Sequence, residues 1–135
     1  MSFYVLDASV WVARLVPQDV FHQIIKDWMA GERAAGSQFV SPSLLLAEVA
    51  GAVSRRTTAL LGRKALKRLE AMPGLRIVEM HDDLLHEAAS LAADLGLRGA
   101  DSVYVAVAKH LDVPLLTFDA EQRDRGKKAV TIHEI

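Results

Sequence analysis

Four carboxylates in this chain stand where alternating strands and helices would bring acids to one edge of a sheet. Asp7 ends the apolar run Phe3-Tyr4-Val5-Leu6, and Asp119 ends the run that passes through "TFDAEQ". Asp101 opens the helical stretch of "LRGADSVYVAVAKH", and Glu48 lies inside "SPSLLLAEVAGAV". Open α/β sheets bind ligands outside the carboxyl ends of their strands, so acids at strand ends and helix starts are candidates for chemistry. Taken singly, Asp7 and Asp119 are also good helix caps, and Asp119-Ala120-Glu121-Gln122 has the capping-box spacing. An acid in a first turn, as at Asp101, is favoured by the helix dipole alone. Glu48 is harder to explain away. Its helical neighbours three and four positions off are Leu44, Leu45, Gly51 and Ala52, an apolar face on which a carboxylate must be protonated, paired with an arginine or bound to a cation.

Brought to one point, these acids would repel each other unless protonated or neutralised, and an all-oxygen site of this kind suits Mg²⁺ or Mn²⁺. Such an ion lowers the pKa of water and polarises a phosphoryl oxygen, which makes phosphodiester hydrolysis the best-fitting chemistry. No phosphate-cradling Gly loop, Ser–His–Asp arrangement or His-x-x-x-His pair competes with it. A phosphoacceptor receiver domain fits poorly, because "LRIVEM" offers only Glu79 at the end of the third strand.

The elements that must position these residues follow from the hydrophobic pattern. Strands are expected at Phe3–Leu6, Gln38–Val40, Leu75–Val78, Leu115–Phe118 and Val130–His133. Helices are expected at about Val10–Leu15, Phe21–Gly31, Ser43–Arg56, Thr58–Met72, Leu84–Gly96 and Ser102–Leu111, with stops at Pro73-Gly74, Gly96 and Pro114. Strands alternating with helices indicate a three-layer α/β/α fold around a mainly parallel sheet of about five strands. With 135 residues, a single domain spanning 1–135 is expected. The absence of cysteine excludes disulfides and thiolate metal sites and fits a reducing cytoplasm. No secretory leader or membrane span is evident, so a soluble cytoplasmic protein is expected. A net charge of −1 shows no overall polycation drawn to nucleic acid.

At these residues the chain resembles PIN-domain proteins and is most similar to the toxin subunit of VapBC toxin–antitoxin pairs. The resemblance runs from "VLDASV" through "PSLLLAEVAGAVSRR" to "GLRGADSVYVAVAKHLDVPLLTFD", the last stretch being the most specific. It implies a three-layer fold, Mg²⁺- or Mn²⁺-dependent ribonuclease activity, a small antitoxin partner and homodimerisation. Position by position, Asp7, Glu48, Asp101 and Asp119 match the family's acidic quartet, with Asp7 and Asp101 foremost as metal ligands. Ser9 and Thr117 match its small hydroxyls, which would orient a carboxylate or water. Two other readings stay open on the sequence: a PIN-like nuclease acting in RNA maturation or on DNA outside a toxin–antitoxin pair, and a metal-binding interaction module without turnover.

Between Val49 and Leu69 there is no acid, while Arg55, Arg56, Arg63, Lys64, Lys67 and Arg68 all fall there. Following directly on the helix of Glu48, this stretch is either a solvated face or a guide for an RNA backbone. Arg98, three residues before Asp101, is a further candidate. "RDRGKKAV" reads as a solvated turn, the five histidines show no metal-ligand spacing, and Trp11 and Trp28 sit in apolar helical contexts that favour packing over base stacking.

Overall fold

The computed structural model describes residues 2–135. The apolar strand β1 (Phe3–Leu6) stops where Asp7 turns its carboxylate onto the amide of Val10 and caps α1 (Ala8–Leu15). α2 (His22–Ala34) then leads into β2 (Gln38–Pro42). α3 (Leu44–Arg56) and α4 (Ala59–Glu70) pack on each other before β3 (Leu75–Val78), and α5 (Asp82–Leu95) and α6 (Gly99–Leu111) do the same before β4 (Leu115–Leu116). α7 (Ala120–Gly126) comes last.

The sheet order is β3-β2-β1-β4, and every neighbouring pair is parallel. From β1 the chain builds outward through β2 to β3, then crosses back to lay β4 on the other side of β1. That reversal is a topological switch point, and it opens a crevice beyond the carboxyl ends of β1 and β4. Asp7 and Asp119 follow those two strands, one on each side of the crevice.

Register pairs Tyr4 with Phe39 and Val5 with both Val40 and Leu115, so alternate residues address opposite layers. On one face Trp11 and Trp28 pack against Phe39, and Trp28 meets Tyr4 edge-on. On the other, α6 contributes the continuous buried run Ser102–Ala108, and Gly126 of α7 sits so close that an added Cβ would touch Val105 at 3.4 Å. A parallel sheet covered on both faces is what the near-continuous apolar strands require. Both tryptophans therefore serve packing, Trp11 being fully buried.

The sheet has four strands, one fewer than expected. At Val130–His133 only an isolated parallel bridge forms, Leu115 to Ile132, through Leu115 N–H to Thr131 O and His133 N–H to Leu115 O, each 2.9 Å. The cause lies in β4, which ends after Leu116 because Thr117–Asp119 turn into the cap of α7. A two-residue partner cannot support a longer ladder. α7 itself was not expected, although the capping box announces it: Asp119 Oδ1 accepts from the amide of Gln122 at 2.8 Å. The first half of "RDRGKKAV" belongs to this helix, and Arg125 donates back to the carbonyl of Gly96 at 2.8 Å.

Candidate active site

Asp7 is the most enclosed of the four acids, at 5 % exposure. Its Oδ1 accepts from Ser9 Oγ at 2.6 Å and from the Val10 amide at 3.3 Å, and its Oδ2 accepts from Thr117 Oγ1 at 2.8 Å. Ser9 in turn accepts from the Phe118 amide at 3.0 Å, and Thr117 from the Asp119 amide at 3.0 Å. The two hydroxyls thus tie the end of β1 to the end of β4 and fix the orientation of the carboxylate between them. Burial pushes the Asp7 carboxyl up to about 7; the bonds from Ser9, Thr117 and Val10 oppose the rise, and the negative charge of Asp101 adds to it.

Asp101 lies in the first turn of α6 but caps nothing, since the cap residue is Arg98 and no side chain closes that helix end. Its Oδ2 instead accepts from Arg98 Nε at 3.1 Å, while Arg98 Nη2 donates to Asp119 Oδ2 at 2.7 Å. One guanidinium therefore bridges two carboxylates from different segments. The Asp101 carboxyl is raised chiefly by burial, with Arg98 pulling it down and Asp119 and Glu121 pushing it up. Arg98, expected among the cations facing a nucleic-acid backbone, makes its charged contacts within the acid set.

Glu48 is positioned by Tyr104, a residue the sequence reading did not single out. The Tyr104 hydroxyl donates to Glu48 Oε1 at 2.6 Å, and burial followed by Glu48 raises the phenol far enough to keep it a donor. The charges of Glu48, then Asp7 and Asp101, add to that rise. The signal was in the sequence: within the apolar run of α6, Tyr104 is the one residue with a polar tip that must find a partner when buried. Gln122 was also missed. Fully buried, it stands 2.8 Å from Thr117 through Oε1 and donates from Nε2 to the Asp101 carbonyl at 3.3 Å. A hydroxyl has one proton to give, so Thr117 can donate to Asp7 or to Gln122, not both.

Beside the acids runs a groove of about 610 Å³, whose lining includes Ser9, Glu48, Asp119, Phe21, Phe118, Arg55 and Arg56. Phe21 and Phe118 are stacked at its lip, ring centres 4.3 Å apart. Arg56 is held by Asp19 at 2.8 Å, whereas Arg55 makes no salt bridge among the described residues. The rest of the basic stretch divides: Lys64 and Arg68 line a separate cleft with Leu15, Val16 and Pro17.

The donor chemistry fits Mg²⁺ or Mn²⁺: carboxylate oxygens at a switch point, one carboxyl raised by burial and by the charge of Asp101. Among the described residues, no group of three acids or histidines is arranged to share one ion, and the Arg98 bridge is the visible reason two of the acids are engaged elsewhere. The histidines act locally, His81 capping α5 and His133 packing on Trp28 and Tyr4.

The PIN-domain family model matches residues 4–128. The chain belongs to the PIN-domain family. No curated protein sequence matches it. Among solved structures, this PIN domain is similar to the Mycobacterium tuberculosis toxin VapC20, described as cleaving the sarcin-ricin loop, with TM-score 0.78 and 17 % identity over 91 % of this chain and 95 % of that one. It is also similar to VapBC2 of Rickettsia felis bound to promoter DNA (TM-score 0.70, 15 % identity, 97 % of each chain). A toxin–antitoxin complex from Klebsiella pneumoniae gives TM-score 0.65 at 18 % identity, covering 98 % of this chain and 99 % of that one. At these identities the likeness is one of fold.

Proposed function

We propose that this PIN domain is a metal-dependent endoribonuclease, the toxin of a toxin–antitoxin pair. The observation that carries the reading is Asp7: a carboxylate buried at the switch point, held on both oxygens by Ser9 and Thr117, and raised to about 7. A cap needs neither that burial nor that second hydroxyl.

Asp7 and Asp101 would hold the cation, with Glu48 and Asp119 completing the acidic wall. When bound, Mg²⁺ or Mn²⁺ supplies Lewis-acid polarisation of a phosphoryl oxygen and acidification of water. The chain's own residues do the rest. Ser9 and Thr117 keep the Asp7 carboxylate from rotating, and Tyr104 holds Glu48 at the groove wall, where its free oxygen can take a proton from water. Arg55 offsets the repulsion between the acids and an incoming phosphate backbone. Toxin–antitoxin complexes among the structural relatives support an antitoxin partner. The exposed apolar residues Val20 (88 %), Ile24 (53 %) and Phe21 (40 %) beside the groove offer that partner a surface, or a second copy of the chain in a homodimer.

The test is cleavage of total RNA by purified protein with Mg²⁺, with Mn²⁺ and with EDTA, read by sequencing the new ends. Defined cut sites that vanish with EDTA and in Asp7→Asn are expected. Cleavage that persists in EDTA, or equal cutting by Asp7→Asn, would sink the assignment.

A further inference from the structure

We propose that Arg98 is the resident counter-ion of Asp101 and Asp119 and competes with a divalent cation for their oxygens. The inference rests on the reading of these acids as a metal site. Arg98 donates through Nε to one carboxylate and through Nη2 to the other, at 3.1 and 2.7 Å. A planar guanidinium reaches two acids in this way because its donors form a fixed fork; a lysine ammonium, as a point charge, would not hold the same geometry.

The oxygen inventory makes the competition direct. Asp119 Oδ1 is committed to the Gln122 amide as the cap of α7, and Oδ2 is taken by Arg98. Both Asp119 oxygens are therefore engaged, and a cation that takes the Oδ2 lone pair facing Arg98 must displace the guanidinium. Arg98 is the cheaper group to move. Its side chain is 62 % exposed, whereas those of Asp101 and Asp119 are 16 % and 31 % exposed. Its backbone is the extended cap position of α6, with no side-chain cap bond to break. Swinging it outward changes side-chain torsions alone.

The charge balance points the same way. Two carboxylates and one guanidinium leave one net negative charge, so the metal-free pair is held together rather than driven apart. A divalent ion that bridges Asp101 Oδ2 and Asp119 Oδ2 must displace the guanidinium that already spans them, and its apparent affinity is lowered by that exchange. The bridge thus makes the metal-free state a closed, partly neutralised one and sets the metal concentration at which the site opens.

The experiment is calorimetric titration of Mn²⁺ into the full chain and into Arg98→Gln at low ionic strength, with Asp101→Asn showing that the heat belongs to this site. Arg98→Gln is expected to bind Mn²⁺ with a several-fold lower Kd and to show a larger Mn²⁺-induced rise in Tm. A fold-independent companion uses the wild-type chain: the Arg98 Nε–H resonance should shift as Mg²⁺ saturates the site. Unchanged or weaker Mn²⁺ binding by Arg98→Gln, or an Nε–H signal unmoved at saturation, overturns the proposal while leaving the metal site standing. Absence of Mn²⁺ binding in both proteins overturns the proposal and the metal reading together.

Discussion

Asp7→Asn, measured in metal-free solution, separates a carboxylate waiting for a cation from one that merely caps a helix. In the folded chain burial raises Asp7 from 3.8 to about 7. Its folded pKa lies above its unfolded one, so between those two values the folded chain holds a proton that the unfolded chain has lost. Stability therefore falls as pH rises from about 4 to 7. At about 1.4 kcal/mol per pH unit, the rise corresponds to about 4 kcal/mol of destabilisation once the group is fully ionised. The substituted amide carries no charge to desolvate. Its oxygen can still accept from Ser9 and Val10, and its NH₂ faces the Thr117 hydroxyl. Urea denaturation with EDTA across pH 4–8 should find the two proteins matched near pH 4 to within about 1 kcal/mol. The variant should then gain steadily, by up to about 4 kcal/mol at pH 8. Parallel curves, or a variant less stable at pH 8, would show that the folded chain ionises Asp7 without cost and that the site stores no unmet need for positive charge.

Tyr104→Phe removes the 2.6 Å bond to Glu48 and should lower stability by about 1.5 kcal/mol, the low end for a bond to a charged group because Glu48 keeps some solvent. In RNA cleavage it should reduce kcat more than it raises KM, which single-substrate kinetics would read. Arg55→Ala should flatten the dependence of log affinity on log salt by about one phosphate contact. Arg56→Ala should do so less, because Asp19 already neutralises Arg56; equal slopes would remove Arg55 from the groove's function. Gly62→Ala should destabilise by about 1–3 kcal/mol in thermal melts. Its Cβ would lie 2.8 Å from the Ala50 carbonyl and 2.9 Å from Ser54 Cβ, where α3 and α4 press together.

The alternation of apolar strands and helices was legible because period and punctuation are local. β1 and β3 fall where the pattern puts them, and Gly96 ends α5 with φ 68°. The positions of Asp7, Glu48, Asp101 and Asp119 were equally legible, since each stands out against the residues beside it. What the acids do was decided by tertiary contacts. Asp7 and Asp119 each cap a helix through Oδ1 and make a tertiary contact through Oδ2, to Thr117 and to Arg98, so two explanations that compete on paper hold together in the fold. Asp101 and Arg98 are three apart, a spacing any helix start allows, but the second arm of Arg98 reaches Asp119 only because β4 lies beside β1. Tyr104 finds Glu48 across 56 positions of sequence, and no periodicity encodes that distance. The missing fifth strand has the same origin: Val130–His133 has strand composition, but a ladder needs a partner, and the partner's length is set by where Asp119 turns the chain into α7. Local sequence specifies which residues are apolar, capping or charged; which of them share a counter-charge depends on crossover connections that only the packed sheet defines.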